Sequence, residues 1–309
     1  MAQAASEYHG MDAGELFDLL LDLREFIALW RKAREGKASS NERAQLGRMV
    51  KNLAQDMNIL PLRGRLLQHL LPRKPVILPK RSGIPVVVDK LLDVMVEYLN
   101  YRYDHEVWEE IRKNAETIKE YMNRNRNRRQ LAHGFIFELI ARRWLKSARG
   151  EHWGNVQRIQ ILTPPELTCQ GIQHGIEVDA FSMMKSNQQL NVAIAEMEIR
   201  LTNSATADEI ATKAVVLAKY FKRYLRREVN YVEIALIGCR RLPTGEKNDL
   251  RRLLRESVRR ELTKHNINYS EDDVNVYDVD DMLRSVGNQK NEPDLAKLIN
   301  YISSNMNSC

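Results

Sequence analysis

The run LNVAIAEMEIRL at 190–201 constrains the fold more than any other part of the chain. By the two-residue period of a strand, Ala193, Ala195, Met197 and Ile199 share one apolar face; Val192 and Ile194 begin the other, which then turns to Glu196, Glu198 and Arg200. A strand apolar on both faces needs a covering layer on each side. That is the environment of an interior strand in an α/β sheet, and its charged C-terminal end then emerges into a polar cleft. Two carboxylates side by side on one face repel each other, so such an end calls for a divalent cation or a basic neighbour, and hard oxygen ligands suit Mg2+.

The elements around this strand divide the chain in two. Leu16, Leu19, Leu20, Leu23, Ile27 and Trp30 have the spacing of one helical stripe over 12–35, with Asp12 and Glu15 as a capping pair. Ser39 and Glu42 have capping-box spacing at the head of a second helix carrying Leu46, Met49, Val50, Leu53 and Met57. Pro72, Pro75, Pro79 and Pro85 then mark an extended connector at 72–85, because proline fixes φ and removes amide donors. Helices are expected over 86–101 and 104–125, ahead of the charged run NRNRNRR at 123–129. The expectation is an N-terminal all-helical domain, 1–129, followed by an α/β domain, 130–309, with a mixed sheet flanked by helices. In the second domain a helix at 131–147 precedes β-rich runs near 156–162, 175–183 and 190–201. A helix opened by Thr206 and Glu209, a strand at 231–239, a helix at 247–265, a strand at 274–279 and one or two closing helices complete it.

Antiparallel pairing of GIEVDAF with the acidic strand would set Asp179 beside Glu196 and assemble an acidic metal site. A helix bearing a glutamate (HGFIFELIARRWL), a strand ending in acid (GIEVDAF), the strand VAIAEMEIR, then a helix and a further strand resemble the PD-(D/E)XK nuclease superfamily, the restriction-endonuclease-like proteins, over roughly 130–240 in the order α-β-β-β-α-β. The resemblance implies that Asp179 is the first motif acid, Glu196 the acid of the (D/E)xK element, and Met197 a contributor of its backbone carbonyl. It implies catalytic roles for Asp179, Glu196 and Glu198, and a Mg2+ site, with Mn2+ as substitute, made by Asp179, Glu196, Met197 and Glu138. Glu198 stands where the family usually has lysine, an ExE version known in some restriction endonucleases. A second register treats Glu198 and Arg200 as the motif pair, and the first is preferred because it leaves Glu196 with a role. The competing structural reading is a solvated strand face for Glu196, Glu198 and Arg200, an i,i+4 partnership of Glu138 with Arg142, and an ordinary helix lysine at Lys213. If Glu198 has displaced the motif lysine, Lys213 is the nearer candidate of Lys213 and Lys219, on the helix after the acidic strand, to balance the charge.

Lys and Arg total 48 against 41 Asp and Glu, a net charge of +7 that favours a polyanionic partner. Arg124, Arg126 and Arg128 in the charged run, Arg200, Lys213, and Arg251, Arg252 and Arg255 in RRLLRESVRR are the candidate phosphate contacts. Cys169, Cys239 and Cys309 lack paired metal or disulfide spacing, and no GxxxxGK[ST] loop, HExxH helix or nucleophile elbow appears. No apolar stretch is long enough to cross a bilayer, and the opening residues lack a basic start and an apolar core, so the expectation is a soluble, cytoplasmic protein with no membrane partner. The reading is a Mg2+-dependent DNA endonuclease, a hydrolase of phosphodiester bonds, with RNA as the alternative substrate. Its helical N-terminal domain is available for a homodimer or a partner protein. A catalytically inactive nuclease-fold protein that binds nucleic acid or serves assembly is the alternative function.

Overall fold

In the computed structural model the described residues are 13–34, 37–46, 48–49, 107–161, 176–185, 189–199, 201, 204–224, 226–287 and 293–305. The expected connector at 72–85, the helix at 86–101, Asp12, residues 50–57 of the second helix, and Arg200 lie outside them. The chain divides into two compact units, Met1–His105 and Glu106–Cys309, so that the arginine run falls in the second.

In the first unit helix α1 spans Ala13–Arg34, with Phe17, Leu21, Phe26 and Leu29 buried. The side chains of the expected stripe from Leu16 to Trp30 lie outside the described residues. The helical run at 40–46 begins with the expected box: the Glu42 amide donates to Ser39 Oγ at 3.2 Å and the Ser39 amide to Glu42 Oε2 at 2.8 Å. Gln45 donates to Glu25 Oε1 at 2.6 Å, tying this run to α1.

The second unit opens with helical residues 107–113 and then α2, Glu116–Arg124, two pieces where one helix was expected. The break is at Asn114, whose side chain accepts from the Glu116 amide at 3.0 Å and so starts a new helix in place of continuing the old one. The arginine run folds as a turn at Arg126–Arg128 into α3, Arg129–Ala148, followed by the short α4, Gly150–Trp153. Strands β1 (Gln157–Ile161), β2 (Ile176–Lys185) and β3 (Gln189–Glu198) come next. Then come α5 (Ser204–Tyr224), β4 (Glu228–Gly238) and α6 (Thr244–Lys264). The unit closes with β5 (Asn268–Tyr269), β6 (Val274–Tyr277), α7 (Val279–Gly287) and α8 (Pro293–Asn305). Helix α5 starts at Ser204, two residues before the expected Thr206. The strand β6 stops at Tyr277 because Asp278 turns to cap α7: the Asp281 amide donates to Asp278 Oδ1 at 3.1 Å and the Asp278 amide to Asp281 Oδ2 at 3.0 Å.

The six strands form one mixed sheet, ordered β1-β2-β3-β4-β5, with β6 also on β4. The pairs β1–β2 and β2–β3 are antiparallel, whereas β3–β4, β4–β5 and β4–β6 are parallel. Parallel β3 and β4 require a crossover, and α5 supplies it. Apart from the short α4, the element order from α3 to β4 is α-β-β-β-α-β.

Helices α5 and α6 cover one face, packing Ile210, Ala214, Leu217, Leu254 and Val258 on Val178, Phe181, Val192, Ile194 and Leu236. Helix α3 lies against β2 and β3 and is met in turn by α7 and α8; none of its buried side chains joins that cluster, so it covers the other face. β3 is therefore interior, and Val192 through Met197 are all buried, as its two apolar faces require. At the end of β4 a Cβ on Gly238 would stand 2.8 Å from Leu201 Cδ1, so glycine lets the chain leaving β3 fold tightly over this edge. Among the described residues no helix is long and apolar enough to cross a membrane.

Candidate active site

The acidic end of β3 lies where the sheet's regular pairing breaks. The β2–β3 ladder runs from Lys185↔Leu190 to Ala180↔Ala195. On the other side of β2, Gln157 pairs with Phe181 but Ile159 with Val178, so Asp179 and Ala180 together oppose Arg158. This extra residue is a β-bulge, a device that re-aims side chains. Beyond it the Asp179 carboxylate, not a backbone carbonyl, takes the next amide of β3: Met197 N–H donates to Asp179 Oδ2 at 3.0 Å. The Asp179 main-chain carbonyl accepts from the Arg142 guanidinium of α3 at 3.0 Å.

Glu196 faces α5, where Lys213 Nζ donates to its Oε2 at 2.7 Å. Both side chains are buried, Glu196 at 5% exposure and Lys213 at 7%, while Lys213 also meets the exposed Glu209 one turn back on α5 at 2.9 Å. Burial pushes the Glu196 carboxyl up, with Lys213 opposing it and Asp179 adding to it. Burial works against the Lys213 ammonium too, but Glu196, Glu209 and Asp179 together hold its pKa above the ordinary lysine value, so the lysine is an ammonium. The second oxygen, Glu196 Oε1, is buried and has no hydrogen-bond partner among the described residues. An unpartnered carboxyl oxygen at full burial is costly, and a cation, a hydrogen-bond donor or an ordered water would each satisfy it.

Glu198 is half-buried, its carboxyl raised by burial, then by Glu209 and Glu138, with Lys213 acting the other way. Its main-chain carbonyl accepts from the Cys239 amide at 3.1 Å. Glu138 is buried on α3 and pairs with Arg142 at 3.5 Å, the i,i+4 partnership open from the sequence. Glu177, on β2 with Asp179, pairs with Arg158 of β1. Asp179, Glu196, Met197, Glu198 and Lys213 thus converge, with Glu138 at the margin through Glu198 and Arg142.

The donor set suits Mg2+ in kind: a carboxylate at Asp179, an open buried oxygen at Glu196 and the Met197 carbonyl are hard oxygens. Mg2+ is commonly held by one or two carboxylates with water completing the shell. Among the described residues no group of three or more His, Cys, Asp and Glu side chains forms a metal cluster, so a cation here would rest on two carboxylates.

The basic candidates are scattered. Arg124 and Arg126 are exposed, whereas Arg128 is half-buried and donates to Asn125 Oδ1 at 2.9 Å. Arg252 lies between Asp249 at 3.7 Å and Glu256 at 3.3 Å, and Arg255 spends its Nε on the Val274 carbonyl at 3.4 Å. Arg251 is half-buried.

A second polar centre was not read from the sequence. Glu233, 1% exposed on β4, accepts from Trp153 Nε1 at 2.6 Å, Tyr277 Oη at 2.6 Å and Arg149 at 3.1 Å. The signal was a lone glutamate inside the apolar run YVEIALIGC. Its partners, from α4, β6 and the α3–α4 junction, are brought together only by folding. Burial and Glu233 raise the Tyr277 hydroxyl well above the usual tyrosine range, so the hydroxyl stays a donor to the carboxylate.

Compared with known proteins, the chain matches no protein family, no curated protein and no solved structure.

Proposed function

We propose that this protein is a metal-dependent nuclease of the restriction-endonuclease-like kind, hydrolysing phosphodiester bonds in nucleic acid, with DNA as the substrate class to test first. The observation that carries this reading is the Lys213–Glu196 contact with Glu196 Oε1 left open beside Asp179. It sets two acids and a lysine at one strand end although Glu198 occupies the expected lysine position. The element order α-β-β-β-α-β, with the short α4 inserted after its first helix, and the antiparallel-then-parallel pairing of β2, β3 and β4 support it.

Asp179, Glu196 Oε1 and the Met197 carbonyl would hold Mg2+, which when bound supplies Lewis acidity toward a phosphate and a more acidic water. The rest is done by side chains. Lys213 brings a permanent positive charge into a buried acidic pocket, offsetting the repulsion that Asp179, Glu196 and Glu198 would present to a phosphodiester. Glu198, half-buried with a raised pKa, is suited to orient an attacking water and accept its proton. The net charge of +7 and the exposed Arg124 and Arg126 favour a polyanion at longer range.

Incubation of supercoiled, linear and single-stranded DNA with the protein and Mg2+ or Mn2+ tests the proposal. We expect cutting that stops with EDTA and is lost by at least a hundredfold in Asp179→Asn and Glu196→Gln. Binding without EDTA-sensitive cutting would instead assign the inactive nucleic-acid-binding module. That second reading draws on Lys213 being held between two carboxylates and on the absence of a three-acid cluster among the described residues.

A further inference from the structure

Glu138 and Arg142 are the charged pair of this region that the mechanism does not use. Both are buried, with 8% and 7% of their side chains exposed, and both stand one turn apart on α3. A buried glutamate within electrostatic reach of Glu198 invites a ligand role, but its observed partner is Arg142. The Arg142 guanidinium reaches past Glu138 to the Asp179 main-chain carbonyl at 3.0 Å, against 3.5 Å to Glu138 Oε2. That carbonyl lies at the bulge, just beyond the last paired residues of the β2–β3 ladder, where a main-chain acceptor needs a new donor. Arginine suits the place, since its planar fork offers several fixed donors and its charge is permanent.

We infer that Arg142 is a positioning residue for Asp179, and that Glu138 acts through Arg142 and not as a metal ligand. Holding the carbonyl from α3 fixes the backbone turn that directs the Asp179 carboxylate onto Met197 N–H. Glu138 in turn holds the guanidinium and balances its buried charge. The consequence for cation binding rests on the nuclease reading above; the positional claim does not.

The test follows the Met197 amide by NMR in the metal-free full chain, with Mn2+ affinity measured separately by electron paramagnetic resonance. In Arg142→Met we expect the Met197 amide to exchange at least tenfold faster relative to the amides of β4, and Mn2+ to bind at least tenfold more weakly. Glu138→Gln should move the Met197 amide in the same direction without metal, by a smaller factor. Arg142→Lys keeps the buried charge but not the fork, and should show the same loss in a chain whose fold is easier to retain. An unchanged Met197 amide in folded Arg142→Met or Arg142→Lys overturns the inference. So does a Glu138→Gln chain that loses Mn2+ affinity with its metal-free Met197 amide unmoved, which would make Glu138 a ligand. A wild-type chain that binds no Mn2+ sinks the nuclease reading alone, because the Met197 comparison needs no metal.

Discussion

At the scale of single residues, this molecule buries charge and compensates it by pairing. Desolvating an ion costs several kcal/mol, and removing one partner of a buried pair leaves the other uncompensated. Lys213 and Glu196 meet at 2.7 Å with both side chains under a tenth exposed, so Lys213→Met should destabilise the second unit by about 3–5 kcal/mol. Glu196→Gln placed in the same chain should restore much of that loss by removing the stranded charge. Denaturant unfolding of the two single variants and the double variant checks this, and additive losses would show that the pair does not interact. Glu209, which meets Lys213 from an exposed position, should contribute far less, because solvent screens it. Lys213 was legible as a candidate through its place on the helix after the acidic strand. Its contact with Glu196 was not, because nothing in the spacing of 196 and 213 says how far α5 rotates about its axis.

At the scale of elements, the strongest local signals are those in which the backbone and one nearby side chain satisfy each other. Ser39 and Glu42 form the box that their spacing announced, and the Ser39 amide, Lys32 and the Ser39 hydroxyl together hold Glu42 down at about 2. A carboxylate depressed in the folded state adds stability above its unfolded value of 4.5, and the contribution fades as pH falls through about 2. An NMR titration should place Glu42 near 2 in the wild type, and Ser39→Ala, which keeps the amide and Lys32 and loses only the hydroxyl, should move it up by a small part of the way to 4.5. A Glu42 unmoved by Ser39→Ala would show that the Ser39 hydroxyl takes no part in holding Glu42 in solution. Where elements departed from expectation, a local polar contact took over from periodicity. Asn114 restarts a helix whose apolar spacing ran on unbroken, and Asp278 ends a strand two residues early by capping the helix after it.

At the scale of the whole molecule, charge and partner are linked through salt. Neutralising a phosphate releases counterions, with a slope near 0.9 per contact on duplex DNA. Arg124 and Arg126 lie exposed at the arginine turn; Arg252, also exposed, has two carboxylate neighbours, and Arg255 bonds a main-chain carbonyl. Arg124→Ala with Arg126→Ala should therefore lower the salt slope of DNA binding by about 2, and Arg252→Ala with Arg255→Ala by less than 1. Fluorescence titrations over a range of salt concentrations decide between the two surfaces. Equal slopes for the wild type and the Arg124/Arg126 variant would clear the arginine turn of any phosphate contact.

The sequence alone determined the interior strand at 190–201 and the α/β layers that must cover it. It also announced the helix–strand order from 129 to 238, the short α4 excepted, because apolar periodicity is a local property that survives without its neighbours. It pointed to Asp179 and Glu196 as acids that antiparallel pairing would bring together. The sheet then placed them at a bulge, where Asp179 abandons the ladder and bonds the Met197 amide. Only the tertiary structure decided that Arg142 holds the Asp179 carbonyl, that Lys213 reaches Glu196 with one oxygen left open, and that Glu233 gathers Trp153, Arg149 and Tyr277. Each of these depends on the rotation and approach of elements far apart in the chain, which are set by packing across the sheet and leave no local pattern to read.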